Sequence, residues 1–170
     1  IYYGKEEILS VSDIKIPGNH NVENYMAAIG AVYGLVKPET IRKIAREFGG
    51  VEHRLEFVRN RNGVNYYNSS IDSSPNRTIN ALSVFKDKII LIAGGKDKGI
   101  PYDDIGAPLE EHVKLLILIG ATSDKIYEAL IKNAEKKKIK SEVKVFRAES
   151  YEEAVKYAAD NAESGDTVLL

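Results

Sequence analysis

The sequence has 170 residues, 44% of them hydrophobic, and its 24 Lys and Arg nearly balance its 25 Asp and Glu, for a formal net charge of −1. This balance gives no general electrostatic reason to expect nucleic acid or an anionic membrane as partner, and the lack of cysteine excludes disulfides and thiolate chemistry. No apolar run approaches the roughly 20 residues of a membrane span, and no signal peptide is visible. We therefore predict a cytoplasmic protein with no nucleic-acid and no membrane partner.

The first 50 residues are predicted to hold two helices behind short strand-like pieces, of which Glu7–Val11 is one. The alanine-rich pattern from Val22 to Leu35 is helical. Pro38 at a first-turn position opens a second helix, which ends near Phe48 before a pair of glycines. We predict a domain boundary near residues 49–53, with 1–50 belonging to a preceding domain and 51–170 forming a second one.

Beyond this boundary, strands and helices alternate. A hairpin is predicted from Leu55–Arg59 and Val64–Asn68, which flank a turn-favouring Asn-Gly pair, and Ser74-Pro75 can start the helix that follows. Later apolar runs predict strands, and amphipathic stretches between them predict helices. The strands are Ile89–Ala93, Leu115–Ile119, Val143–Phe146 and Thr167–Leu170, with helices near 103–112, 123–138 and 150–163. Right-handed crossovers make this an α/β fold, a Rossmann-like, mostly parallel sheet flanked by helices.

The two ends of the sequence suggest a piece of a longer protein. The chain starts at Ile1, its one methionine is Met26, and it stops at Leu170 inside a predicted core strand. We expect a fragment truncated at its carboxyl end.

Two polar loops follow two of the predicted strands, and in a parallel sheet such loops meet at the carboxyl edge, where these folds bind ligands. The loop Gly94–Gly99 offers paired glycines, whose backbone amides can approach an anion, and lysines that supply point charges. It lacks the P-loop spacing, and no strand precedes a Gly-x-Gly-x-x-Gly motif. The alternative interpretation is a turn with solvated lysines.

The second polar loop, Asn68–Pro75, places hydroxyls, an amide and a carboxylate before a helix start, where an anion is favoured. Ordinary helix capping needs only one or two of these residues. Arg54, next to His53, could clamp a phosphate in a bidentate fashion, although a surface arginine beside a histidine also suits a salt bridge. His112, on a predicted helix without a partner at metal spacing, is interpreted as structural.

Asn21 and Asn24 open the first long helix. Because they are three residues apart, both carboxamides project from one side of the first turn and could bind an adenine edge. The alternative is an asparagine cap followed by a polar helix face.

The order of these motifs along the chain resembles that in Mur ligases. The motifs are Gly-x-His-Asn-x-x-Asn-x-x-Ala-Ala at 18–28, His-Arg-x-Glu at 53–56, the loop 68–75 and Gly-Gly-x-Asp-Lys at 94–98. The resemblance is strongest to the branch that adds D-glutamate to UDP-N-acetylmuramoyl-L-alanine in peptidoglycan synthesis. It implies a three-domain, monomeric, cytoplasmic enzyme, of which 1–50 is the end of the central ATPase domain and 51–170 most of the carboxyl-terminal domain.

The resemblance also implies a mechanism. ATP phosphorylates the carboxylate of the UDP-linked substrate, the amine of D-glutamate attacks the acyl phosphate, and an amide, ADP and phosphate result. Asn21 and Asn24 are then implied to bind adenine, Arg54 the ATP phosphates, and Lys98 a carboxylate of D-glutamate. The Mg²⁺ ligands and the catalytic centre are implied to lie outside this chain, so we expect the chain alone to be inactive.

The loop 68–75 departs from the family pattern. Many relatives carry an aspartate that binds ribose where this chain has Ser69, and a lysine where it has Ile71. Ser69 is still implied to bind ATP, Asp72 is a shifted candidate for the ribose, and Ser73 keeps a hydroxyl for the amino-acid carboxylate. Without the lysine, D-glutamate binding relies on Lys98 and Arg77.

Two other interpretations stay open. One is another ligase of the superfamily, which adds a different amino acid or extends folate with glutamate. The other is a non-catalytic α/β binding module.

Overall fold

The computed structural model describes residues 1–72 and 74–170, which divide into two units, Ile1–Val51 and Glu52–Leu170. Each unit has hydrophobic clusters of its own. In the described residues, no helix combines the length and the apolar character needed to cross a bilayer. The assignment of the first unit to an ATPase domain stays a prediction.

The first unit contains a short antiparallel pair, β1 (Tyr2–Tyr3) with β2 (Glu6–Glu7), then α1 (Asn19–Val32) and α2 (Pro38–Glu47). Both predicted helices are present, and Pro38 stands in the first turn of α2. Their apolar faces meet the chain that follows β2, and the resulting cluster consists of Ile8, Leu9, Ile29, Ile41 and Ala45.

The predicted strand over Glu7–Val11 was wrong for most of its length. After Glu7 the chain leaves the sheet, and Val11–Asp13 forms a 3₁₀ turn in which the Asp13 amide donates to Ser10 O at 3.1 Å. Serine and aspartate favour such turns. Arg42 of α2 provides hydrogen bonds for two backbone carbonyls at this point. Its guanidinium donates to Glu7 O at 2.6 Å and to Ile8 O at 3.0 Å.

In the second unit the described residues form a six-stranded sheet, which confirms the predicted fold class. A hairpin of β3 and β4 is antiparallel, and all other neighbours are parallel, in the order β3-β4-β8-β5-β6-β7. The strands are β3 (Glu56–Arg61), β4 (Val64–Asn68), β5 (Ile89–Gly94), β6 (Val113–Ile119), β7 (Lys144–Ala148) and β8 (Thr167–Leu169).

The hairpin is tighter than predicted. Its loop consists of Asn62 and Gly63 alone, both with positive φ (54° and 81°), as a type I′ turn requires. Because this turn matches the twist of paired strands, β3 continues to Arg61 instead of ending at Arg59.

Helices cover both faces of the sheet, as the continuous apolar strands predict. The alternation along β5 sends Ile89 and Leu91 to one cluster and Ile90 and Ile92 to the other. The first face packs against α3 (Pro75–Leu82), α4 (Gly106–His112) and α5 (Ser123–Lys137), and the second against α6 (Tyr151–Asp160).

Candidate functional site

A cavity of about 450 Å³ lies at the carboxyl edge of the parallel strands, where the sequence predicts a site. Its apolar lining comes from the ends of β5, β6 and β8 and from the helices beside them. Its polar lining comes from the two loops singled out above, from Thr78 of α3 and from two tyrosines. The polar lining residues are Ser69, Ser70, Asp72, Ser74, Thr78, Lys96, Lys98, Tyr102 and Tyr151.

The glycine pair of the loop after β5 permits a close backbone approach. Gly94 has φ 144°, and a Cβ there would lie 1.7 Å from the carbonyl oxygen of Ile119 at the end of β6. The Gly95 amide donates to this oxygen at 2.9 Å, and the Thr122 amide donates to Gly95 O at 3.2 Å. The glycines therefore join the ends of β5 and β6 at the cavity.

The glycine pair is followed by three charged residues, of which two line the cavity and one does not. Lys96 and Lys98 line the cavity, whereas Asp97 lies outside it and contacts Lys125 of α5 at 2.7 Å. The Lys125 ammonium, and after it the Gly99 amide that donates to Asp97 Oδ1 at 2.8 Å, lower the pKa of Asp97 from its ordinary value of 3.8. Asp97 is therefore ionised at neutral pH and paired with Lys125. The cations on the rim of the cavity are Lys96 and Lys98.

Ser69 and Asp72, both predicted to bind ATP, contact each other. The Ser69 hydroxyl is buried, donates to Asp72 Oδ2 at 2.7 Å and accepts from the Leu55 amide at 3.0 Å. Arg77 lies 3.6 Å from the other carboxylate oxygen of Asp72. The Ser69 side chain therefore organises the loop, while Asp72 is the acidic group on the cavity wall.

Arg54 occupies a sharp corner before β3. His53 and Leu55, on either side of it, have positive φ (62° and 48°), a conformation that non-glycine residues rarely adopt. The corner is tied to the next loop, because His53 Nδ1 lies 2.9 Å from Asn68 Nδ2. Arg54 itself is exposed and lies outside the cavity lining.

The other predicted site residues lie elsewhere. Asn21 and Asn24 belong to the first unit and lie on one side of α1, in its first and second turns. Asn24 Nδ2 donates to Asn21 Oδ1 at 3.3 Å and Asn21 Nδ2 to Pro17 O at 2.6 Å. Ser73 lies outside the described residues. The structure thus gathers Ser69, Asp72 and Lys98 around one cavity.

Tyr151 is a cavity residue that the sequence interpretation missed. Helical periodicity predicts one inner stripe of Tyr151, Ala154, Val155, Ala158 and Ala162. Of these, Ala154 and Ala158 are buried, while Tyr151 is 56% and Val155 46% exposed. The signal that could have found it is position, since the first turn of a helix directly after a parallel strand lies at the carboxyl edge.

A magnesium ion is bound by oxygen ligands, chiefly carboxylates, phosphates and water. In the part of the chain that the structure describes, no group of three or more His, Asp or Glu side chains could hold a metal ion.

Comparison with known proteins identifies the family of the second unit. The family model described as "Mur ligase, glutamate ligase domain" matches residues 53–170. The chain belongs to the Mur ligase family. The Mur ligase match begins at His53, beside the start of the second unit at Glu52.

Individual relatives also carry the name of a Mur ligase. The chain is 56% identical to a UDP-N-acetylmuramoylalanine--D-glutamate ligase of Ruminiclostridium cellulolyticum and 53% identical to one of Acetivibrio thermocellus, each over 96% of the chain. It spans about a third of the length of these relatives, 35% in both.

Solved structures agree on the fold. The MurF ligase from Thermotoga maritima, in complex with ADP, matches 89% of this chain and is itself covered to 34%, with a TM-score of 0.62 and 20% identity. A Mycobacterium tuberculosis folylpolyglutamate synthase, also with ADP, matches 91% of this chain and is covered to 38%, with a TM-score of 0.61 and 15% identity.

Proposed function

We propose that this chain is the carboxyl-terminal part of an ATP-dependent ligase that joins D-glutamate to UDP-N-acetylmuramoyl-L-alanine in peptidoglycan synthesis. Two relatives with more than half of their aligned residues identical carry the name of that activity. The observation that carries the proposal is the cavity at the carboxyl edge of the sheet, with Lys96 and Lys98 on its rim, inside the segment that matches the glutamate ligase domain. The proposal assigns residues 1–50 to the end of the central ATPase domain and makes the enzyme a cytoplasmic monomer.

The chemistry of the cavity suits an amino acid with two carboxylates. Its volume of about 450 Å³ lies within the range of small-molecule sites. A lysine ammonium binds a carboxylate as a point charge without needing to titrate, so Lys98 can hold D-glutamate while its amine attacks the acyl phosphate. Ser73 is the second proposed contact to D-glutamate. The products are an amide, ADP and phosphate.

The proposed ATP contacts are polar and charged side chains. Asn21 and Asn24 present their carboxamides on one side of α1, where they can bind the adenine edge. Arg54 is exposed, so its guanidinium can reach a phosphate. Asp72 is proposed to accept from the ribose hydroxyls, and Ser69 orients its carboxylate.

The deciding experiment measures phosphate release by the full-length protein with ATP and UDP-N-acetylmuramoyl-L-alanine. D-glutamate is compared with L-glutamate, L-lysine and diaminopimelate as the amine. We expect turnover with D-glutamate alone, and we expect no turnover by the 170-residue chain. Turnover with another amino acid would assign the chain to a sister ligase, and no turnover at all would favour a non-catalytic binding module.

A matched pair of variants tests the site itself. Lys98→Ala should raise the KM for D-glutamate about 10-fold or more, since a hydrogen bond to a charged group contributes roughly 1.5–3 kcal/mol. Lys88→Ala is the control, because Lys88 is exposed just before the opposite end of β5. It should change KM by less than about 2-fold, as expected for a surface lysine. Equal effects of the two substitutions on the KM would show that Lys98 does not bind D-glutamate.

A further inference from the structure

The loop from Gly94 to Gly99 needs contacts outside itself to hold one conformation. Three of its six residues are glycines with positive φ, 144° at Gly94, 119° at Gly95 and 72° at Gly99. Glycine loses more backbone entropy on ordering than any other residue. The contacts that fix the conformation of Lys96 and Lys98 must therefore come from neighbouring elements.

The start of the loop is fixed through its backbone. The Gly95 amide donates to Ile119 O at 2.9 Å, and Gly95 O accepts from the Thr122 amide at 3.2 Å. Thr122 is fully buried at the beginning of α5. These bonds end at Gly95, before either lysine.

The middle of the loop is held by one side chain. Asp97 Oδ1 accepts from the Gly99 amide at 2.8 Å, which closes a tight turn, and Asp97 Oδ2 accepts from the Lys125 ammonium at 2.7 Å. Lys125 lies in the first turn of α5, close in sequence to Thr122. The same helix start therefore holds the loop at Gly95 and again at Asp97.

This contact directs the neighbouring lysines. With Asp97 drawn toward α5, Lys96 and Lys98 line the cavity on either side of it in sequence. In the residues that the structure describes, neither lysine is paired with a carboxylate. The cations on the rim are thus available to a ligand.

We propose that Asp97 and Lys125 are positioning residues that hold the glycine-rich loop so that Lys98 presents its ammonium to the carboxylate of the bound amino acid. The identity of that amino acid rests on the proposed function, whereas the effect on the loop does not. An exposed ion pair adds little to global stability. We therefore expect the pair of Asp97 and Lys125 to order the loop without changing the stability of the whole chain.

Backbone relaxation of the 170-residue chain tests the effect on the loop directly. In Lys125→Met, we expect the order parameter of the Lys98 amide to fall from about 0.85 to below about 0.6, the range of flexible backbone. Asp97→Asn keeps an acceptor for the Gly99 amide but loses the charge, and should give a smaller fall. Lys125→Arg should retain the order. Lys132→Met is the control, since Lys132 lies on the same helix and reaches Asp103 and Glu128 only at 3.9 Å. Unchanged order in Lys125→Met would overturn the proposal.

Kinetics of the full-length enzyme test the consequence for binding. Lys125→Met should raise the KM for D-glutamate about 10-fold, because a misplacement of about 1 Å can cost about 100-fold in rate. The KM for ATP and the melting temperature should stay constant, and Lys125→Arg should restore the KM for D-glutamate. A loosened loop with an unchanged KM would overturn the positioning role. If the wild-type enzyme does not use D-glutamate, the proposed function fails, and the relaxation data alone decide whether the pair orders the loop.

Discussion

The backbone of Gly94 passes so close to Ile119 that a Cβ at Gly94 would lie 1.7 Å from the Ile119 carbonyl oxygen and 2.8 Å from its carbonyl carbon. The neighbouring amide of Gly95 donates to the same oxygen. The floor of the cavity therefore depends on a contact between two backbones.

Gly94→Ala should destabilise the chain by more than about 3 kcal/mol, because the backbone of β6 cannot move away without breaking its pairing with β5. Denaturant unfolding measures this loss. Gly95→Ala is the matched control, since Gly95 also has positive φ, but a Cβ there would meet no described atom within 4 Å apart from its chain neighbours. It should cost only about 1–3 kcal/mol of backbone strain. Equal losses would contradict the proposed close approach.

Ser69→Ala should cost roughly 1–3 kcal/mol, because it leaves the partly buried Leu55 amide without its acceptor and Asp72 Oδ2 without its donor. Ser70→Ala, at the exposed neighbour, should stay within about 0.5 kcal/mol. The comparison requires only the unfolding midpoints of the two variants and of the wild type. A neutral Ser69→Ala would show that the hydroxyl does not organise the loop.

Asp97 should titrate below its ordinary pKa of 3.8. Because its folded pKa is lowered, its contribution to loop order is present above pH 3.8 and is lost as the pH falls through the folded pKa. A titration of its carboxyl carbon by NMR measures this, and the Gly99 amide shift should follow the same curve. In Lys125→Met the pKa should move up toward 3.8, since the first cause of the shift is removed. A wild-type pKa at or above 3.8 would contradict the ion pair.

Lys114→Met should destabilise the chain by roughly 2 kcal/mol, between the values for exposed and for buried ion pairs. The Lys114 ammonium on β6 lies 2.6 and 2.7 Å from the two oxygens of Asp166, whose side chain is only 15% exposed. Thermal or denaturant unfolding checks the prediction. Lys144→Met, at an exposed lysine on β7, serves as control and should change stability by less than about 0.5 kcal/mol. A Lys114→Met variant as stable as this control would refute the prediction.

Much of the fold was predictable because its strands are continuous apolar runs and its helices carry local start signals. Ser150 is an example, since its hydroxyl accepts from the Glu153 amide at 3.1 Å while Glu153 Oε2 accepts from the Glu149 amide. The placement of β8 between β4 and β5 was not predictable in this way, because strand order depends on pairing between residues far apart in sequence.

The candidate site was predictable in its loops but not in its details. Ser69 carries a side chain of a type that is usually exposed, and its burial results from the corner at His53 and Leu55, whose positive φ no local pattern indicates. Tyr151 fits the apolar stripe of α6, yet it stands in the first turn, beyond the edge of the sheet that buries Ala154. Helical periodicity identifies a face, but it does not say where the opposing surface ends.

The position of β8 constrains how the second unit can be synthesised and folded. β4 and β5 each pair with β8 and not with one another, although about a hundred residues separate β4 from β8. On the ribosome, the β3-β4 hairpin and the β5-β6-β7 layer therefore emerge as two pieces, each with an unpaired strand edge. They can join only after Thr167–Leu169 has left the exit tunnel. Such edges are prone to aggregation until they are paired, so both stay exposed at least until β8 has been translated.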